Sequence, residues 1–191
     1  MLKYKKINFV GAQCTGKTSV FEALKEVEAF KDFNFYESLS RKLALEEGLK
    51  INEDGDSNTQ KILFDKYSEL LDKMLNEHAI SNRCILDVAS YTAFMFDHTD
   101  PADDDYENLS AEDFRERKEI VKRKADLELL VYFPIEFNIV KDGVRSKDPD
   151  FQKGVDLKIQ QFLNNYKIPH IKVSGSIEQR VEQIKKAMGV E

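Results

Sequence analysis

Residues 11–18 read Gly-Ala-Gln-Cys-Thr-Gly-Lys-Thr. Two glycines, a lysine and a hydroxyl at this spacing wrap the phosphates of a nucleoside triphosphate. Gly11 and Gly16 let the backbone turn tightly and approach an anion. The amides of Ala12, Gln13, Cys14, Thr15, Gly16, Lys17, Thr18 and Ser19 then lead into a helix start. There the helix dipole and its free N–H groups favour negative charge. Lys17 is expected on the β- and γ-phosphates, and Thr18 is expected to hold Mg²⁺ through its hydroxyl. A disulfide between Cys14 and Cys84 would compromise this loop, so both thiols are read as free and Cys14 as a small loop residue.

Such a loop works only between a strand and a helix. Ile7-Asn8-Phe9-Val10 is a short apolar run before it, and the spacing of Val20, Leu24, Val27 and Phe30 predicts a helix over 19–30. Further strands are predicted at 34–37, 79–82, 127–133 and 170–173. Helices are predicted at 38–47, 58–76, through Tyr91 and Phe94, and at 149–166. Ser174-Gly175-Ser176 starts a last one ending near Met188. Residues 97–107, rich in aspartate, read as a solvated loop. Ser110 with Asp113 three residues later reads as the N-cap of a helix running to Lys124. This alternation predicts an α/β fold, a parallel sheet with helices on both faces. Ligands of such sheets sit at the carboxyl ends of the strands. That rule nominates the phosphate loop, Glu37, Asn82 with Arg83, residues 134–146, and Ser174 with Gly175.

The chain has 191 residues, a net charge of −6, 41 % hydrophobic and 34 % charged residues. Its length suits one domain over 1–191. No apolar run approaches the roughly 18 residues that span a bilayer. The basic start lacks a cleavable-signal pattern, so the expected place is the cytoplasm without a membrane partner. The acidic balance opposes tight binding to DNA. The run Arg115, Arg117, Lys118, Lys122, Arg123, Lys124 is either a solvated face or a substrate or nucleic-acid surface.

Several segments together resemble the NadR-like P-loop kinase/ATPase family, related to nucleoside and nucleotide kinases. They are GAQCTGKTS, ESLSRKLALEEGL, SNRCILDVASYT, DLELLVYF, DGVRS and VSGSIEQRVEQI, spread in order over most of the chain. The resemblance implies a P-loop NTPase sandwich with a five-stranded parallel sheet. It also implies ATP-dependent phosphoryl transfer or hydrolysis with Mg²⁺, the acceptor being a hydroxyl of a nucleoside- or nucleotide-like molecule. One departure stands at the third strand end, where relatives usually carry Asp-Arg or Glu-Arg and this chain has Asn82-Arg83. An asparagine keeps the shape and loses the charge, which weakens a metal contact; Glu37 or Asp87 is then a candidate to compensate.

In the setting that resemblance supplies, Glu37 either orients the acceptor or caps the following helix. Arg41, four residues on, either pairs with Glu37 or clamps an anionic acceptor. Arg83 and Asp87, again four apart, make an ion pair or face the acceptor, and Tyr91 stacks on a base or fills the core. Arg145 lies where relatives keep a mobile lid, here around 141–148; it neutralises charge in transfer or is an exposed loop arginine. Ser174 and Gly175 lie where the adenine is expected. Two other readings stay open: a kinase of a hydroxymethylated base in DNA, and a nucleotide-dependent switch without an acceptor. The oligomeric state is not legible.

Overall fold

The computed structural model describes residues 2–137 and 148–190. The strands are β1 (Lys6–Val10), β2 (Asn34–Tyr36), β3 (Ala79–Ser81), β4 (Leu129–Tyr132) and β5 (His170–Lys172). The helices are α1 (Lys17–Lys25), α2 (Leu39–Glu46), α3 (Ser57–Met74), α4 (Ile85–His98), α5 (Tyr106–Arg123), α6 (Pro149–Asn165) and α7 (Ile177–Met188). The sheet order is β2-β3-β1-β4-β5 and every pairing is parallel. The central strand is therefore the one that feeds the phosphate loop. β2 and β3 lie on one side of it, β4 and β5 on the other.

Strand pleating sorts the core into two layers. Ile7 and Phe9 of β1, with Leu129 and Val131 of β4, point to the layer that holds Phe21 and Leu24 of α1 and Ile184 and Met188 of α7. Val10, Leu130 and Tyr132 point to the opposite layer, built with α3, α4, α5 and α6. Gly154 lets α6 approach α4 closely, because a Cβ there would meet the Phe94 ring at 2.0 Å.

Two boundaries differ from the sequence reading by four residues or more. α1 stops at Lys25, and a separate 3-10 turn, Glu28–Phe30, carries the chain onward. α5 begins at Tyr106 with Asp105 at its N-cap, so Ser110 lies inside the helix and not at its start. The reason is tertiary. The Asp105 carboxylate accepts from the backbone N–H of Ser57 at 2.8 Å and from its hydroxyl, which fastens the chain before α5 to the start of α3. Among the described residues no helix is long and apolar enough to cross a membrane.

Candidate active site

The loop after β1 owes its shape to a few demanding residues. A Cβ on Gly11 would meet the Phe133 carbonyl oxygen at 2.6 Å, so only glycine lets β1 pass β4 this closely. Cys14 and Gly16 take left-handed backbone, φ 58° and 83°. Left-handed turns of this kind curl successive amides into an anion-binding nest. Gly16 is the N-cap of α1, and no side chain caps that helix end.

The loop's carbonyls are tied back from several directions. Lys17 Nζ donates to the carbonyls of Gly11 and Ala12, the second at 2.7 Å. Gln152 of α6 donates to the Gln13 carbonyl at 2.6 Å, and Arg180 of α7 to the Thr15 carbonyl at 2.6 Å. The Gly11 amide donates to Asp87 of α4 at 3.2 Å, and the Tyr91 hydroxyl to Gln13 Oε1 at 2.9 Å. Four elements thus hold one short loop in a fixed form.

A cavity of about 360 Å³ opens over this loop. On the β4–β5 side it is walled by Phe137, Gly175, Ile177 and Arg180. On the β2–β3 side stand Ser38, Ser40 and Arg41, then Gln60, and then Asn82, Arg83 and Tyr91. The sequence-predicted residues Gln13, Cys14, Thr15, Gly16, Lys17, Thr18, Ser19, Arg41, Asn82, Arg83, Tyr91 and Gly175 all line it. Cys14 is half-buried on the wall and Cys84 is buried away from it.

Two nominated carboxylates stand outside it. The Glu37 side chain is 77 % exposed and lies 3.6 Å from Lys25 Nζ; the helix that follows starts from Ser38. Asp87 is buried beneath the loop. It accepts from the Cys84 amide at 3.1 Å, which completes the capping box of α4, and contacts Arg83 at 3.5 Å. Burial pushes the Asp87 carboxyl up, against the pull of Arg83 and Lys17. Burial works against the Arg83 charge too, yet Tyr91, Asp87 and Tyr67 outweigh it and hold the guanidinium protonated. Its guanidinium lies over the Tyr91 ring, 5.7 Å from the centroid. Ser174 hydrogen-bonds through its backbone to the Gln183 side chain. Arg145 and the expected lid over 141–147 lie outside the described residues; Asp148 is the N-cap of α6.

The residues beside Thr18 suit a hard divalent cation. Asn82 Nδ2 donates to the Thr18 hydroxyl oxygen at 3.3 Å. Asn82 is 5 % exposed, and its amide oxygen has no hydrogen-bond partner among the described residues. An orphaned oxygen next to a hydroxyl is a partial shell of the kind Mg²⁺ takes, completed by water and phosphate. Among the described residues no group of three or more His, Cys, Asp or Glu forms a metal cluster.

Arg180 was not legible as a site residue. It is 1 % exposed, and it also donates to Glu136 at 2.6 Å; Glu136 in turn accepts from the Gly175 amide at 3.0 Å. The rings of Phe133 and Phe137 lie on its guanidinium. The available signal is its place on the stripe Arg180, Ile184, Met188, where every other member is apolar. Gln152 shares that signature with Val155 and Ile159 on α6.

Most of the basic run of α5 is paired with carboxylates within the fold. Arg115 pairs with Glu112 and Asp65, Arg117 with Asp113, Lys122 with Glu119, and Arg123 with Asp72 and Asp126. Lys124 donates to the Tyr166 carbonyl.

Comparison with known families and structures agrees with this architecture. The family described as AAA domain matches residues 6–180. No curated protein matches by sequence. A structure of deoxyadenosine kinase from M. mycoides with bound dATP superposes with a TM-score of 0.72 at 16 % identity, covering 97 % of this chain and 100 % of that one. A NadR protein in complex with NR gives a TM-score of 0.71 at 11 % identity over 97 % of this chain, which spans about half (51 %) of that protein. Shikimate kinase from Aquifex aeolicus gives 0.53 at 18 % identity over 96 % of each chain. At these identities the likeness is one of fold: a P-loop α/β sandwich with a five-stranded parallel sheet, as the motifs led one to expect.

Proposed function

This chain belongs to the AAA domain family, and from its cavity we propose that it is an ATP-dependent phosphotransferase acting on a nucleoside- or nucleotide-like acceptor. The observation that carries this reading is the two-sided cavity. The phosphate loop lies between a wall of Phe137, Gly175, Ile177 and Arg180 and a second wall of Ser38, Ser40, Arg41, Gln60, Arg83 and Tyr91. A nucleotide hydrolase needs only the first of these. A second wall beside the transferring phosphate is what an acceptor requires.

In this reading the base of ATP lies against Phe137 and Gly175, and the triphosphate runs over the loop. Lys17 leaves the Gly11 and Ala12 carbonyls and turns to the terminal phosphates. Thr18 and Asn82 would hold Mg²⁺, which would neutralise charge on the phosphate oxygens. Arg83, fixed by Asp87 and Tyr91, faces the acceptor. Arg41 approaches from the rim. Such transfer is chiefly positioning and charge neutralisation, which this donor-rich wall supplies. The likeness in fold to a deoxyadenosine kinase and to a NadR protein in complex with NR supports an acceptor of nucleoside kind.

ADP formation from ATP and Mg²⁺ tests the reading against a panel of nucleosides and nucleotides, with Lys17→Ala as the inactive control. Acceptors that raise the rate at least about tenfold support it. One slow rate whatever is added means a nucleotide-hydrolysing switch.

A further inference from the structure

The walls of the cavity are uniform in sign. Lys17, Arg41, Arg83 and Arg180 line it, and among the described residues no aspartate or glutamate does. This holds in a chain of net charge −6. The strand-end position at 82 is a neutral amide. Glu37 is turned outward to Lys25, and Asp87 is used by two backbone amides beneath the loop. Two donors also point to a missing anion. Gln13 is 3 % exposed on the cavity wall, and its Nε2 has no partner among the described residues; Arg180 Nε has none either. Unmatched buried donors are costly unless a ligand meets them.

A hydroxyl acceptor has to lose a proton during transfer, and a positioned base takes it. Among the described residues the cavity offers cations, hydroxyls, amides and the Cys14 thiol, and neither a carboxylate nor an imidazole to act as the base. A phosphate monoester needs none. Its second pKa is about 6, so at neutral pH it is already an anion with a nucleophilic oxygen. It also matches a wall of two arginines and an orphaned amide donor, since guanidinium groups pair with phosphate in charge-assisted, often bidentate, fashion.

Resting on the phosphotransferase reading above, we propose that the acceptor is a nucleoside monophosphate and that the attacking atom is an oxygen of its phosphate. The oxygen bridging the β- and γ-phosphorus of ATP keeps the electron pair of the breaking bond and leaves with ADP. The new bond runs from the monophosphate oxygen to the transferred phosphorus, and a phosphoanhydride results. Total charge is the same on both sides and no proton is released. Arg83 and Gln13 hold the acceptor phosphate, and Arg41 closes on it from the rim. This replaces the hydroxyl acceptor expected from the sequence.

The experiment counts protons. Purified protein is mixed with ATP, Mg²⁺ and, in turn, the ribo- and deoxyribonucleoside 5′-monophosphates and the matching nucleosides, in weak buffer at pH 8. ADP, indicator absorbance and phosphorus NMR are followed together. The proposal expects ADP with at least one monophosphate, anhydride phosphorus signals and no proton release. Arg41→Gln, at an exposed position that threatens no core packing, should raise the KM for that monophosphate about tenfold or more and move the KM for ATP less than about twofold. Transfer to a nucleoside with about one proton per ADP, or proton release with a monophosphate, overturns the proposal and leaves the phosphotransferase standing. No acceptor-dependent ADP with any compound removes both. An Arg41→Gln protein with an unchanged monophosphate KM overturns the assigned anion site.

Discussion

The Arg180 guanidinium donates to the Thr15 carbonyl at 2.6 Å and joins the last helix of the chain to its phosphate loop. The same group holds Glu136 and touches Phe137, so one buried side chain binds together the exits of β1 and β4 and, through Glu136, the turn after β5. Arg180→Ala leaves Glu136 without its cation and the Thr15 carbonyl without a donor. Glu136 is partly solvated, so the cost is below that of a fully buried pair, about 2 kcal/mol. Thermal unfolding should fall by roughly 4–8 °C at this chain length. Affinity for ADP should drop with it, and Arg180→Lys should recover part of the stability and little of the affinity. Unchanged ADP affinity in a folded Arg180→Ala protein would show that the clamp serves only the fold.

Asn82→Asp tests the partial metal shell. The orphaned amide oxygen lies beside Thr18, and a carboxylate there adds one negative charge next to a divalent ion. The Mg²⁺ concentration for half-maximal rate should fall severalfold, with the rate kept or raised. Superimposable Mg²⁺ titrations for the two proteins would put position 82 outside the shell.

Glu37 is the sharpest case of a residue nominated by its strand end and found facing away from the cavity. If the acceptor arrives as an anion, no base is required. Glu37→Gln should then change turnover by less than about threefold and stability by under about 0.5 kcal/mol, as for other exposed positions. A fall of roughly a hundredfold at constant ATP affinity would return it to the role of base.

Much of the site could be read from spacing alone, because the phosphate loop is local in sequence. Gly11 through Ser19 are one unbroken loop and helix start, and the neighbouring strand ends follow from the alternation of elements. The parts that escaped depend on distant packing. Arg180 and Gln152 read as interruptions of apolar stripes, and their partners lie 165 and 139 residues away. The start of α5 departs from the local pattern for the same reason: Ser110 and Asp113 satisfy a local capping pattern, while the anchoring of Asp105 to Ser57 is decided across the fold.

Glu116 gives the protein a pH-dependent weakness. Its carboxyl is fully buried on α5, and neither oxygen has a hydrogen bond among the described residues, although Thr92 and Glu112 lie beside it. Burial first, then the nearby Glu112, pushes its pKa well above 4.5, with Thr92 and Arg115 opposing. The folded chain therefore keeps a proton that the unfolded chain gives up. Stability should fall from about pH 4.5 upward, by at most about 1.4 kcal/mol per pH unit, until the folded group ionises. Glu116→Gln should match the parent near pH 4 and exceed it at pH 8 in urea unfolding. Parallel curves for both proteins across that range would show that this carboxyl does not titrate differently on folding.

The two thiols are placed unequally, Cys14 half-buried on the cavity wall and Cys84 sealed in the core. The chain thus carries an internal gauge of occupancy. A small aromatic disulfide reagent should react rapidly with one equivalent of the native protein, slow sharply once ADP fills the loop, and reach the second equivalent only on denaturation. Labelling kinetics would then report how full the site is without any substitution, and would do so before the acceptor is known.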